Sequence, residues 1–163
     1  MPLSNPDQQH LRAAHGFIEL GMFEEASEEL EEIDPFCRHL PEVLRARVVI
    51  YQALKKWELM AVVAKKLVEW NPDEPGFAID WAYATRRAES IHIAHAILTR
   101  AADLHPDHDL IQFNLACYEA QLGNIAAAKK HLSRATKIDA KFSRMALNDP
   151  DLEPLWTSFA TEA

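Results

Sequence analysis

The fold is decided by residues 109–142, which read DLIQFNLACYEAQLGNIAAAKKHLSRATKIDAKF. The apolar positions of this stretch recur through the preceding sequence at a step of 34 residues, without a gap. Four columns keep this step: Phe23, Trp57, Ile91 and Ile125; Ala26, Met60, Ala94 and Ala128; Leu30, Ala64, Leu98 and Leu132; and Ile33, Leu67, Ala101 and Ala135. A fixed period of this size predicts stacked structural repeats.

Each 34-residue unit contains two segments of helical apolar spacing, separated by a break near its middle. Gly21 and Gly123 stand at two of these breaks, and Asn71-Pro72 and His105-Pro106 mark two of the unit ends. The pattern predicts eight helices and a tail that departs from the period. The predicted helices cover residues 6–20, 23–33, 41–54, 57–70, 75–88, 91–104, 109–122 and 125–138, and in the tail Leu152, Leu155, Trp156 and Phe159 share one apolar face.

The composition is that of a globular protein, with 163 residues, 48% apolar residues, 26% charged residues and only four glycines. Neither a membrane-spanning apolar run nor a secretory signal is evident. Cys37 and Cys117 are far apart in sequence and show no metal or redox spacing. We therefore expect a cytoplasmic protein with reduced thiols.

The net charge of -8 argues against nucleic acid as the main ligand. It is unevenly spread: residues 1–34 hold nine acids and one base, whereas residues 35–72 hold seven bases and three acids. Solvated helix faces are one explanation of this pattern. The other is that the acidic first unit meets a basic surface, such as the second unit of another copy.

The repeating columns resemble the tetratricopeptide repeat, TPR. Residues 109–142 match its pattern best, through Leu115, Ala116, Gly123, Ile125, Ala128, Leu132 and Ala135. The resemblance implies a single all-α domain over residues 1–163, a right-handed α-solenoid of four antiparallel helix pairs with a C-terminal capping helix. The four repeats are residues 7–40, 41–74, 75–108 and 109–142, and the cap is residues 143–163.

In TPR proteins the first helices of the repeats line a concave surface that binds peptides. The resemblance places twelve residues of this chain on that surface: Leu11, His15, Arg45, Val49, Gln52, Ile79, Tyr83, Arg86, Arg87, Phe113, Cys117 and Gln121. Tyr83 and Phe113 are predicted to anchor apolar side chains, and Arg45 and Arg86 to hold carboxylates. Packing between adjacent first helices is the alternative role for Ile79 and Phe113. The tail is expected to cap the last repeat, and occupation of the groove by the tail is the alternative.

No catalytic constellation, phosphate-binding loop or complete metal-ligand set is recognisable in the sequence. The predicted function is that of a non-enzymatic adaptor or scaffold, with no cofactor and no metal, which binds a protein or peptide partner and neither nucleic acid nor a membrane. Two alternatives remain open at this point. One is a dedicated chaperone similar to those of bacterial type III secretion, and the other is a self-assembling module that forms a homodimer.

Overall fold

The computed structural model describes residues 2–160, with the side chains of residues 158–160 excepted. Within that range the regular structure is entirely helical. The helices are α1 (Asn5–Glu19), α2 (Phe23–Glu32), α3 (Pro41–Ala53), α4 (Trp57–Trp70), α5 (Pro75–Ala88), α6 (Ile91–Leu104), α7 (Asp109–Gln121), α8 (Ile125–Ile138), α9 (Lys141–Asn148) and α10 (Glu153–Ala160). A short 3-10 turn at Pro150–Leu152 joins the last two helices. The eight helices predicted from the repeat are confirmed to within one residue at each end.

The helices pack into two compact units, residues 1–88 and residues 89–163. In the first unit α1 packs on α2, α3 on α4, and α4 on α5. In the second unit α7 packs on both α6 and α8. The arrangement as one domain of four repeats stays a prediction.

Small residues of the repeats lie in the core between helices. Ala14, Ala26, Ala94 and Ala128 are all fully buried, because an alanine side chain lets two helix backbones come together while larger neighbours fill the remaining space. Met60, which replaces alanine in its column, is fully buried as well. The columns that begin with Ala26 and with Ile33 are therefore core positions throughout. The column of Phe23, Trp57, Ile91 and Ile125 is only half-buried.

The turns between paired helices share one backbone conformation in three of the four repeats. Gly21 and Gly123 have φ values of 73° and 84°, and Lys55, at the matching position of the second repeat, has φ of 55°. A left-handed residue at this place ends the preceding helix and reverses the chain. Glycine adopts this conformation without steric cost, whereas lysine does not.

Among the described helices, none combines the length and the apolarity that crossing a membrane requires.

Candidate protein-interaction site

Two arginines on first helices of the unit formed by residues 1–88 lie over aromatic rings. On α3, the guanidinium carbon of Arg45 lies 5.0 Å from the centroid of the Phe77 ring on α5. Phe77 is buried, with 6% of its surface exposed, whereas Arg45 is exposed. The contact therefore links α3 to α5 and leaves the positive charge of Arg45 exposed to solvent.

The second contact involves Arg87 and two aromatic rings. The guanidinium carbon of Arg87 lies 3.5 Å from the Tyr83 centroid and 5.2 Å from that of Trp57. The two rings meet edge to face, at 5.8 Å and 70°. Arg87 Nη1 also donates a hydrogen bond of 3.0 Å to the Tyr83 carbonyl, which holds the guanidinium over the ring. Arg87 is exposed and Tyr83 is half-buried.

A carboxyl group lies between these contacts along α5. Asp80 is three residues from both Phe77 and Tyr83, so that one side of the helix carries all three. Burial raises the pKa of Asp80 from 3.8 to about 6, because the charged carboxylate is less well solvated there. Sequence analysis missed Asp80, Phe77 and Trp57. The three-residue spacing of Asp80 from Tyr83 indicates from the sequence that both lie on one side of α5. Only the burial of Asp80, which the structure provides, distinguishes it from an ordinary surface acid.

The other predicted site residues of this unit differ in exposure. His15, Val49 and Gln52 are exposed, whereas Leu11, Ile79 and Arg86 are half-buried. Leu11 packs against the core cluster that includes Ala14 and Leu30. The open part of the predicted surface in this unit is therefore formed chiefly by α3 and the second half of α5.

The prediction that Phe113 and Cys117 are open to a ligand is wrong. Their exposed fractions are 3% and 4%, because the tail covers this side of α7. The Phe113 ring lies 4.9 Å from that of Phe142 on α9, and the Cys117 thiol is 3.8 Å from a carboxylate oxygen of Asp149. Gln121, although exposed, donates a hydrogen bond of 2.9 Å to the Asp151 carbonyl.

The tail follows α7 from its first residue to its last. Lys141 Nζ lies 3.6 Å from Asp109 at the start of α7, and the contact of Gln121 with Asp151 lies at the end. Leu152 and Leu155 are buried to 0% and 1% exposure, and Trp156 is half-buried, whereas the Phe159 side chain lies outside the described residues. The tail thus covers the apolar face that a last repeat would otherwise leave in water.

Cys117, Asp149 and Asp151 bring three ligand atoms to within 4.8 Å of one another, the single group of this kind among the described residues. Asp149 caps the 3-10 turn there by accepting a hydrogen bond of 2.9 Å from the Asp151 amide. Helix capping and the thiol contact explain this convergence without an ion.

A polar pocket of about 390 Å³ lies in the second unit among α6, α7 and α8. Glu119, only 8% exposed, accepts hydrogen bonds from His95 at 2.6 Å and Asn124 at 2.7 Å. Burial alone would raise the pKa of Glu119, but these two bonds outweigh it and lower that pKa. Across the pocket, His131 is 2.7 Å from the buried Gln112, and burial lowers the pKa of His131. Two pairs of polar side chains on the pocket wall, His95 with Glu119 and Gln112 with His131, are therefore engaged in bonds between helices of this unit.

Several solved structures are similar to this fold. MamA from Desulfovibrio magneticus RS-1, residue 41 to the end, is 14% identical with a TM-score of 0.76, over 98% of this chain and 94% of that one. A thermophilic TPR protein from Thermus thermophilus is 17% identical with a TM-score of 0.65, over 95% and 89% of the two chains. A putative kinesin light chain with TPR-like repeats from Podospora anserina is 17% identical with a TM-score of 0.65, over 98% and 89%.

The chain therefore has the all-α repeat fold of the tetratricopeptide-repeat proteins, as the 34-residue columns predicted. No protein-family model matches its sequence, and no curated protein is significantly similar to it.

Proposed function

We propose that this protein is a non-enzymatic protein-interaction module that binds a peptide segment on the α3 and α5 faces of residues 1–88. The observation that carries the proposal is the pair of exposed guanidinium groups, Arg45 and Arg87, each held over an aromatic ring. An arginine held in this way loses less freedom on binding than a free side chain does. The tetratricopeptide-repeat fold supports a role in protein interaction by analogy.

The expected peptide carries acidic and apolar side chains. Arg45 and Arg87 provide forked donors that fit carboxylates, and the exposed Val49 offers apolar contact area between α3 and α5. Asp80 adds a hydrogen-bond acceptor for a peptide N–H. Phe113 has no part in this site, and Arg87 takes the place given to Arg86 as the outer cation.

We also expect the protein to act in the cytoplasm. Cys37 and Cys117 are both free and buried, which suits a reducing compartment. Nothing in the geometry favours the secretion-chaperone alternative over this proposal.

The proposal is tested with peptides selected from a random library on the full-length protein. The affinities of the selected peptides would then be measured by fluorescence polarisation for wild type, Arg45→Glu, Arg87→Glu and Arg100→Glu. Arg100 is exposed on α6, so its variant makes the same change of charge away from the site. We expect acidic, apolar peptides whose affinity falls at least about tenfold in the first two variants and is unchanged in the third.

Two outcomes would contradict the proposal. One is a selection that yields no binding peptide, and the other is equal binding by all four proteins. Circular dichroism of each variant checks the fold, since substitutions of exposed residues are expected to change stability little.

A further inference from the structure

The outer face of α4 exposes three large apolar side chains, of which Trp70 also contacts the Phe77 ring on α5 at 6.3 Å. Leu59, Val62 and Trp70 are 49%, 56% and 57% exposed. At about 100° per residue, Leu59 lies about 60° and Trp70 about 80° from Val62 around the helix axis, so all three share one side of the helix. The exposed face of α4 is thus apolar at its centre and at its C-terminal end.

Charged residues at equal distances before and after Val62 have opposite signs. Glu58 lies four residues before Val62 and Lys66 four residues after it. Glu69 lies seven residues after Val62, and Lys55 lies seven before it in the turn that leads into the helix. All four side chains are exposed, and within the described chain none of them forms an ion pair with a neighbour.

This pattern is complementary to itself when one helix is turned end over end. In an antiparallel pair of α4 helices with a two-fold axis at Val62, the residue four places before the axis faces the residue four places after it in the other copy. Glu58 then faces Lys66 of the second copy, and Glu69 faces the turn that carries Lys55. Val62 meets Val62 on the axis, while Lys65 lies over the Trp81 ring of its own copy at 5.9 Å.

We propose that two copies of this protein associate through the outer faces of α4, antiparallel about a two-fold axis at Val62. A second copy is the occupant that the pattern specifies, because the charges four and seven residues from Val62 each meet an opposite charge and Val62 meets Val62. This contact differs from the one that the charges of residues 1–34 and 35–72 suggested, since the acids of α2 take no part in it. One helix pair forms a small interface, so the dimer is a weak and concentration-dependent one.

The proposal is tested by sedimentation velocity on the full-length protein across about two decades of concentration. We expect the weight-average mass to rise from the monomer value of 18.5 kDa toward twice that value, and the rise to weaken at high salt. Val62→Asp places two carboxylates together on the axis and should leave a monomer. Glu58→Lys and Lys66→Glu each bring like charges together, twice per dimer, and should weaken association at least about tenfold.

The decisive variant is the charge swap Glu58→Lys/Lys66→Glu. The double variant keeps both ion pairs with the positive and negative residues exchanged, so it should recover association to within about threefold of wild type. If the two substitutions acted independently, their losses of affinity would add instead. Glu24→Lys, an equivalent change at an exposed position of α2, is the control and should associate like wild type. The proposal is overturned by a wild type that stays monomeric throughout, by association that survives Val62→Asp, or by a double variant no better than the single ones.

Discussion

Replacing Asp80 with Asn should make the protein more stable at neutral pH, although it removes a native charge. Burial raises the pKa of Asp80 from 3.8 to about 6, so the folded state holds the proton more tightly than the unfolded chain does. The stabilisation that this group provides is fully present below about pH 4 and is lost as the pH rises toward about 6. Above that pH the free energy of unfolding no longer changes with the ionisation of Asp80. Asparagine is nearly isosteric with aspartic acid and carries no charge to desolvate.

The magnitude follows from the difference between the two pKa values. At about 1.4 kcal/mol for each pKa unit, the interval from 3.8 to about 6 corresponds to an upper limit of about 3 kcal/mol. Asp80 is only half-buried, and solvent screening reduces this limit to about 1–2 kcal/mol. We therefore expect Asp80→Asn to raise the free energy of unfolding by about 1–2 kcal/mol at pH 8, and to leave it unchanged at pH 4.

Urea unfolding at pH values from 4 to 8, followed by tryptophan fluorescence, measures the free energy of unfolding of the unit that contains Asp80. Trp57, Trp70 and Trp81 all lie in the unit of residues 1–88, together with Asp80. Asp73→Asn, in an exposed loop of the same unit, is the control and should follow the wild-type profile. The reasoning is refuted if Asp80→Asn is less stable than wild type at pH 8, or if its stability falls between pH 4 and 6 as steeply as that of wild type.

Three further predictions concern the tail, the turns and the polar pocket. Phe142→Ala should lower the free energy of unfolding, measured in urea, by about 3–5 kcal/mol, because it removes a side chain that is only 1% exposed and uncovers Phe113. A loss below about 1 kcal/mol would mean that packing of the tail on α7 contributes little to stability. Lys55→Gly should raise the free energy of unfolding in urea and Gly123→Ala should lower it, by about 1 kcal/mol each, since both turns need a left-handed residue; changes of the same sign would contradict this. Glu119→Gln should make the melting temperature fall less steeply on acidification below about pH 4.5. The lowered pKa of Glu119 gives stability that is present above its unfolded-state pKa and is lost as the pH falls through its folded-state pKa. A variant whose melting temperature falls with acidification as steeply as that of wild type would refute this.

The helices could be predicted from the sequence because the repeat supplies the same information four times. The apolar columns define the helices, glycines or prolines mark several of the boundaries, and the structure matches the predicted ends to within one residue. The left-handed conformation of Lys55 was open to the same reasoning, since Lys55 occupies the column of Gly21 and Gly123. A column that contains lysine beside two glycines predicts the turn, even though lysine is unfavourable there.

The candidate site was less predictable, because a periodic register describes interior repeats and says nothing about the end of an array. Phe113 occupies a position that a register based on interior repeats leaves open, but here α9 begins beside α7 and brings Phe142 onto it. The apolar residues Leu152 and Leu155 indicated that the tail would dock, though not which predicted residues it would cover. Asp80 was missed for a different reason: an acid on a helix is usually solvated, and only the packing around it changes its pKa.

The peptide site and the dimer contact use different sides of the same helix, so they can act together and be separated by experiment. Trp57, at the first turn of α4, is half-buried against Tyr83, whereas Val62 lies about 140° further around the helix and faces solvent. A dimer through α4 carries two copies of the Arg45 and Arg87 site and binds a two-site partner more tightly than a single peptide. Val62→Asp should therefore leave the affinity for a single selected peptide unchanged and weaken binding to two such peptides joined by a flexible linker, both measured by fluorescence polarisation. If Val62→Asp weakened binding of the single peptide as much as Arg87→Glu does, the two surfaces would not be independent and the division of α4 into two faces would fail.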